Sequence, residues 1–529
     1  MRYRVPGIHL WLDEPQETLA RRIAEKLGVG AGSLKSVQVA RRSLDARRKG
    51  HPRWVVDAEV EVEGALPSIP PGVDAVPEAE PSLPPVRAPD LPPVILGAGP
   101  AGLFCAWGLL ERGVRSIVVD RGKTVDPRRR DVARLMRSGQ LDSESNMNFG
   151  EGGAGAYTDG KLSTRIRHPA VRKVVELFAR FGNSERILVQ GKPHLGSDVL
   201  PAAVSAMRQE LERGGCEFVW NARATDIEIV EGRVRGLVLA DGRTLPCDRL
   251  VLAPGNSARE IYELFARRGW PIEAKPFAVG FRVEHPQSLI DRIQYGRSAG
   301  AEGLPPADYR LAENPSVGGH ARGVFSFCMC PGGVVVPTPT EPEMQVTNGM
   351  SNSGRSSPLA NAGLVVAVSP EEFAAEGFKG PLAGLEWQRK WERAAYDLGG
   401  GGYQAPAQRL AAWLAGRPGD PPGPSSYRPG LTHADLGQLY PPQVHEALRA
   451  AVHGFDRRMR GFVSPDALLI GIESRTSAPC RIARGEDFTT PGLAGLYPAG
   501  EGAGHAGGIV SSAVDGLKAA EAICHELGG

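Results

Sequence analysis

Cysteine is scarce and odd in number, seven among 529 residues, and scattered except for Cys328 and Cys330. That spacing excludes a disulfide scaffold, and neither the cysteines nor the dispersed histidines have the spacing of a zinc site. Long apolar runs are missing too. No stretch reaches the ~18–20 residues a membrane span needs, and the opening MRYRVPGIHLWLDEP lacks the apolar run of a signal peptide. The expectation is a cytoplasmic protein with no metal and no membrane partner. Charge of one sign is also lacking: 62 basic against 60 acidic residues leave +2, too little for a global field that steers nucleic acid or anionic lipid. What remains is globular composition, 41% apolar and 23% charged, long enough for about three domains at roughly 150 residues each.

The chain divides by pattern. Residues 1–65 read as a small N-terminal α/β domain: HLWL is extended, ETLARRIAEKLG has helical apolar spacing, and RWVVDAEVEVEG alternates as a strand. Ten prolines between Leu66 and Pro93 remove backbone donors and stiffen the chain, so 66–93 reads as an extended linker. A first part of a dinucleotide-binding domain is expected over 94–275 and its C-terminal part over 461–529. Between them, 276–460 forms an inserted substrate or cap domain of mixed strands and helices. The fold class is therefore α/β, a Rossmann-like domain of glutathione-reductase type assembled from discontinuous segments.

In VILGAGPAGLFCAWGLLERGVRSIVVD, residues 94–120, an apolar strand ends in Gly97-Ala98-Gly99-Pro100-Ala101-Gly102. Glycine at these three places permits a tight turn, close approach of backbone to a pyrophosphate, and close contact between helix and strand. The diphosphate then sits at the start of a helix, where unpaired N–H groups and the positive dipole end converge. Asp120 closes the next strand eighteen residues after Gly102, the place from which a carboxylate accepts hydrogen bonds from an adenosine ribose.

The end of the chain selects a flavin over a transient nicotinamide. If Gly500 and Glu501 close the strand GLYPAG, Glu501 can take a ribityl hydroxyl. The helix beginning near Gly508 and Ile509 then aims its N-terminus at a flavin ring, favouring the negative charge of the reduced form. No second strand-GxGxxG-helix unit followed by an acid occurs between 200 and 460. One tightly held FAD is expected, without a separate nicotinamide domain. Arg121, the glycine wall Gly152-Gly153-Ala154, Ala224 and Gly255 complete the expected cofactor contacts.

Eight separated motifs carry a resemblance: GAGPAG with Asp120, FGEGGAGAYTDGKLSTR, GKPHLGSDVL, LAPGNSARE, FCMCPGG, NGMSNSGRSSPLANA, GIESRTSAPCRI and YPAGEGAGHAGGIVSSAVDG. In this order they resemble a family of largely uncharacterised FAD-dependent dehydrogenases of bacteria and plastids, over the whole chain. The resemblance implies the two-dinucleotide-binding-domain flavoprotein fold, FAD, and oxidoreductase activity on an unestablished substrate. His505 stands where the family commonly has Tyr, and Cys480 where it commonly has Val.

Flavin chemistry asks little acid or base of the protein, so the catalytic candidates are few. Lys161 lies near the glycine wall. His505 can pass protons near neutral pH or simply pack. Arg475 can clamp a substrate carboxylate with its planar fork, or pair internally with an acid. Cys328 and Cys330 would share one side of a strand if FSFCMC is extended, as a redox pair or as buried thiols. Residues 1–56 hold twelve basic against five acidic residues, and 57–80 hold seven acids and no base. That basic face either pairs with the acidic run or docks RNA or a protein. The favoured function is hydride transfer between an organic substrate and flavin, with NAD(P)H or another carrier as a transient partner. The alternative is a flavin-bearing RNA- or protein-binding protein.

Overall fold

Val94–Leu96, Leu250–Leu252 and Leu496–Pro498 are short apolar runs buried on both faces, the signature of strands inside a covered parallel sheet. In the computed structural model, which describes residues 1–15, 17–66, 68–76 and 84–528, they lie side by side. The sheet has five strands, in the order Leu496–Pro498, Leu250–Leu252, Val94–Leu96, Ile117–Val119 and Glu217–Val219, all parallel. Strands from both ends of the chain thus meet in one sheet. A three-stranded antiparallel sheet, Ala224–Val230, Arg233–Leu239 and Thr244–Pro246, branches from it. Its hairpin turns at Glu231 and Gly232, both with positive φ, as a tight two-residue turn between right-twisted strands requires.

Helices Pro100–Glu111 and Ile509–Glu526 cover one face of the parallel sheet, and they touch closely. A Cβ on Gly516 would stand 2.0 Å from the Ala101 carbonyl oxygen, and one on Gly108 would stand 2.9 Å from the Ala520 Cβ. Only glycine allows that approach, and it sets the two helix N-termini beside each other.

The inserted region builds a seven-stranded sheet in the order Ala312–Glu313, Val324–Cys330, Leu359–Val368, Phe277–Pro286, Leu468–Glu473, Ala405–Arg409 and Leu431–His433. Its core is aromatic. Trp387 on helix Ala383–Leu398 is 1% exposed and sits 5.3 Å from Phe373 and 5.8 Å from Tyr440 between ring centroids.

Two expected boundaries move. The C-terminal part of the dinucleotide domain was expected from 461, but Leu468–Glu473 pairs antiparallel with Phe277–Pro286 and Ala405–Arg409, so the chain returns only after Glu473. A strand buried on both faces reads alike in either sheet. The linker expected over 66–93 falls partly outside the described residues, at 67 and 77–83. In its described part, Leu66 and Val73 are buried in the N-terminal core, and Asp74–Ala75 pairs with Arg4 and Tyr3. A two-residue strand carries no periodicity to detect.

The N-terminal sheet, Leu34–Asp45, Arg53–Val62, Arg2–Trp11 and Asp74–Ala75, is backed by helix Glu17–Leu27. It is fastened to the rest by main-chain bonds, Gly191 N–H to Arg42 O at 2.8 Å and Gly50 N–H to Tyr295 O at 3.0 Å.

Replacing Trp387 by Ala empties the aromatic core of the seven-stranded sheet and is expected to cost about 3–5 kcal/mol. A guanidinium unfolding curve checks it, and an unchanged midpoint would contradict this account of the core.

Candidate cofactor and substrate cavity

A single cavity of about 1500 Å³ runs from the parallel sheet to the seven-stranded sheet. At one end, Gly97 leaves strand Val94–Leu96 with φ +109°, and a Cβ there would lie 2.1 Å from the Ala253 carbonyl oxygen. Gly99 caps helix Pro100–Glu111 with no side-chain hydrogen bond, and Pro100 occupies the first turn. The helix therefore presents unpartnered N–H groups and its positive dipole end to the cavity. Gly153 faces Gly99 across it: a Cβ on Gly153 would stand 3.1 Å from the Gly99 Cα. Helix Ile509–Glu526 opens on the same space behind Gly508, again with no side-chain cap.

Most of the residues expected at a cofactor line this cavity: Gly97, Gly99, Pro100, Ala101, Asp120 and Arg121 at one end, then Gly153, Ala154, Ala224 and Gly255, and Glu501, Gly508 and Ile509 at the other. Four do not line it: Gly102 makes the helix–strand contact expected of it, and Ala98, Gly152 and Gly500 stand behind the lining. Ala98 and Gly152 are joined behind the wall, Gly152 N–H donating to Ala98 O at 2.9 Å. Gly102 packs on Gly97, whose carbonyl oxygen is 1.8 Å from where a Cβ would stand. Gly500 donates its N–H to Asp515 at 2.7 Å, tying the turn to the last helix.

Asp120 does more than face a ribose. Its two oxygens accept from Ala98 N–H at 2.9 Å and Gly122 N–H at 2.8 Å, which shapes the glycine turn and leaves lone pairs for a hydroxyl. Arg121 is held between Glu144 and Glu260 and stacks on Phe149. Glu501 accepts from Asn256 Nδ2 at 3.0 Å, and burial pushes its carboxyl up to about 7, against the opposing charge of Lys275.

The catalytic candidates all line the cavity, in different states. Lys161 is tied to Asp159 at 3.1 Å and donates to the Met329 carbonyl. Burial disfavours its charge, but Cys330, Cys328 and Asp159 outweigh that and keep it protonated. His505 hydrogen-bonds the Ile482 carbonyl through Nε2 at 2.9 Å. Burial and Arg484 hold its pKa below the ordinary value, so the imidazole is neutral at pH 7. Arg475 shows the internal pairing: its fork closes on Glu392 at 3.0 and 2.8 Å and is completed by Thr340 and Ser257. Glu392 is also bound by Arg259 at 2.7 Å. Against the cost of burial, the two arginines hold it ionised with a pKa of about 2. Arg475 is therefore no free clamp for a substrate carboxylate.

The sequence reading expected the inserted region at the substrate and singled out Cys328, but missed the other residues of the far wall. Asn348, Arg355, Phe327, Cys328 and Met329 come from the inserted sheet and its loops, and Arg41 from the N-terminal domain. Arg355 lies in NGMSNSGRSS, so the motif was visible although its address was not. The basic N-terminal face is spent differently from its expected pairing. Arg4 meets Glu59 in the acidic run, but Arg47 and Arg53 pair with Asp45, and Arg42 stacks on Trp54 at 4.0 Å. Among the described residues no group of three or more His, Cys, Asp or Glu is placed to hold a metal, and no helix is long and apolar enough to cross a membrane.

Residues 276–476 match the family described as FAD-dependent protein, C-terminal domain-like, and residues 5–61 match a domain of unknown function. An uncharacterised protein of Clostridium beijerinckii is 39% identical over 535 residues, spanning 100% of this chain and 99% of the relative. Among solved structures, CtdE in complex with FAD is 11% identical with a TM-score of 0.32, covering 84% of this chain and 85% of that one. Glycine oxidase from Bacillus cereus is 11% identical with a TM-score of 0.34, covering 83% and 95%.

FAD is the cofactor, and the glycine walls, the two uncapped helix starts, Asp120 and Glu501 fit it. A side chain at Gly99 would enter the space between the turn and Gly153. Gly99→Leu is expected to lower flavin content by at least about tenfold, a change of ~1.4 kcal/mol or more, at unchanged far-ultraviolet circular dichroism. Full flavin absorbance in the purified variant would contradict the placement.

Proposed function

The chain belongs to one family with its Clostridium relative and carries the FAD-dependent C-terminal domain, and from that premise we propose an FAD-dependent oxidoreductase of small anionic substrates. The reaction is hydride transfer between an organic substrate and the flavin, with NAD(P)H as a transient partner and no nucleic acid involved. The observation that carries this reading is the continuity of the cavity from the glycine turn to the inserted sheet. One space accommodates both cofactor and substrate.

Bound FAD supplies a two-electron acceptor or donor; positioning and electrostatics fall to the chain. Asn256 and Glu501 form a hydrogen-bonded pair that can fix a hydroxyl of the cofactor chain. The start of helix Ile509–Glu526 stabilises negative charge next to it. His505, neutral and donating through Nε2 to Ile482, keeps Nδ1 bare as an acceptor. Lys161, anchored by Asp159, holds a fixed positive charge against the inserted sheet.

The rim sets substrate class. Arg41, Arg165 and Arg310 line the cavity and make no ion pair among the described residues. Three unpaired guanidinium groups favour carboxylate or phosphate groups through charge-assisted hydrogen bonds. Arg41 brings the N-terminal domain into the site, which gives its basic strand a local task without RNA.

Anaerobic mixing of the flavin-loaded protein with NADH, NADPH and a panel of carboxylate- and phosphate-bearing metabolites tests the reading. Rapid loss of flavin absorbance with at least one of them is expected, and its persistence with all would contradict it. Arg310→Ala is expected to raise KM up to about tenfold with kcat preserved, the mark of an interaction made equally in ground and transition states.

Burial raises Glu501 from 4.5 to about 7, so between those values the native state holds a proton that the unfolded chain has released. Its contribution to stability is full below pH 4.5 and lost as pH rises through 7. Urea midpoints of the wild type should therefore fall relative to Glu501→Gln between about pH 5 and pH 7.5; parallel profiles would contradict the assignment.

A further inference from the structure

The inserted sheet offers the cavity one feature that hydride transfer does not use. Strand Val324–Cys330 loses register with Leu359–Val368 between Phe327 and Cys330, and at that break Cys328 takes φ +42°. A left-handed conformation in a non-glycine residue is a strain that the surroundings must enforce, and here they do. The Cys328 carbonyl accepts from Arg282 Nη1 at 3.0 Å and from the Cys330 thiol at 3.3 Å. Arg282 is itself fixed by Glu473 at 2.6 Å and by Asn348 and Asn361. Lys161 grips the next carbonyl, that of Met329.

The break changes what the two thiols can do. In a flat strand, residues two apart are separated by about 6.6 Å along the chain, at the outer limit for a disulfide. The left-handed step brings the Cys330 thiol to 3.3 Å from the Cys328 carbonyl oxygen; Cys328 lines the cavity and is half-buried, while Cys330 is buried. The neighbouring Cys330 side chain, with the positive charge of Lys161 and Arg282, outweighs burial and holds the Cys328 thiol far below its ordinary pKa, while the same neighbour and burial raise that of Cys330. An accessible, ionised thiol beside a protonated one is the arrangement of a nucleophile and its resolving partner. The other five cysteines are buried, and none of them lines the cavity.

We propose that Cys328 and Cys330 form a redox-active dithiol that reduces a small anionic disulfide entering the cavity through its arginine rim. The proposal rests on the reading of that rim given above, and names a substrate class for the same cavity. Cys328 Sγ attacks one sulfur of the disulfide, its S–S bond breaks, and one thiolate leaves. Cys330 passes its proton to that thiolate and attacks Cys328 Sγ, forming the protein S–S bond and expelling the second thiolate. The second thiolate takes the proton that Cys328 released on ionising. Two electrons and two protons thus pass from the protein to the substrate, giving two thiols.

The test uses the flavin-loaded protein, reduced with a phosphine, desalted and exposed anaerobically to oxidised glutathione. Denatured thiol titration is expected to fall by two from seven, and the peptide containing 327–333 to lose two hydrogens in mass. In Cys330→Ser the same treatment is expected to trap a glutathione adduct on Cys328. In Lys161→Met the pH midpoint for alkylation of Cys328 by iodoacetamide should move upward. A wild-type count that stays at seven, or an adduct only on another cysteine, overturns the dithiol. Bleaching of the flavin by a nicotinamide with seven thiols retained would leave the oxidoreductase reading standing while this inference falls. Thiols lost without any bleaching would do the reverse.

Discussion

The contact between the first and last helices of the dinucleotide domain is the constraint on which the site depends. Gly516 meets the Ala101 backbone and Gly108 meets Ala520 at distances no side chain permits. The two helix starts, at Gly99 and Gly508, therefore open on one space. Each is left without a side-chain cap, so each keeps unsatisfied N–H groups that an anionic or polar ligand satisfies. The tie is reinforced by Asp515, which accepts from Gly500 N–H and from Arg484. Close backbone packing makes the cofactor end of the cavity, and Asp120 and Asp515 hold its turns in place.

The substrate end is made by different means. Buried ions do the fixing there: Glu392 between Arg259 and Arg475, Asp159 between Lys161 and Arg355, and Glu473 against Arg282. Removing one partner from such a group leaves an uncompensated buried charge at a cost of several kcal/mol, so they hold the wall in one arrangement. The break in strand Val324–Cys330 is held by this network, through Arg282 on the Cys328 carbonyl and Lys161 on that of Met329. A glycine-built cofactor seat and an ion-locked substrate wall leave the chemistry to a few side chains between them.

Much of the first end was legible in the sequence, because its signals are local. Gly97, Gly99, Gly102 and Asp120 sit within one strand-turn-helix-strand unit, where three glycines at that spacing meet the steric demand of a backbone packed against a diphosphate. Glu501 and Gly508 were legible for the same reason. The second end was not, because its logic is long-range. Nothing near Arg475 announces Glu392, eighty-three positions away in the chain. Nothing in Arg41 points to a cavity whose other walls begin beyond residue 95. Residues 468–473 were included in the segment expected for the dinucleotide domain, because burial on both faces erases the alternation that would have separated the two sheets. The pleat argument for Cys328 and Cys330 assumed a regular strand, and the break replaced it with a backbone fold that no sequence period encodes.

Diffraction from crystals of the flavin-loaded protein tests the central claim most directly. The account predicts FAD density with its diphosphate against the N–H groups that open helix Pro100–Glu111. The isoalloxazine ring should lie between the start of helix Ile509–Glu526 and the Cys328 wall. Density that leaves either helix start vacant, or a ring lodged outside this cavity, would contradict it.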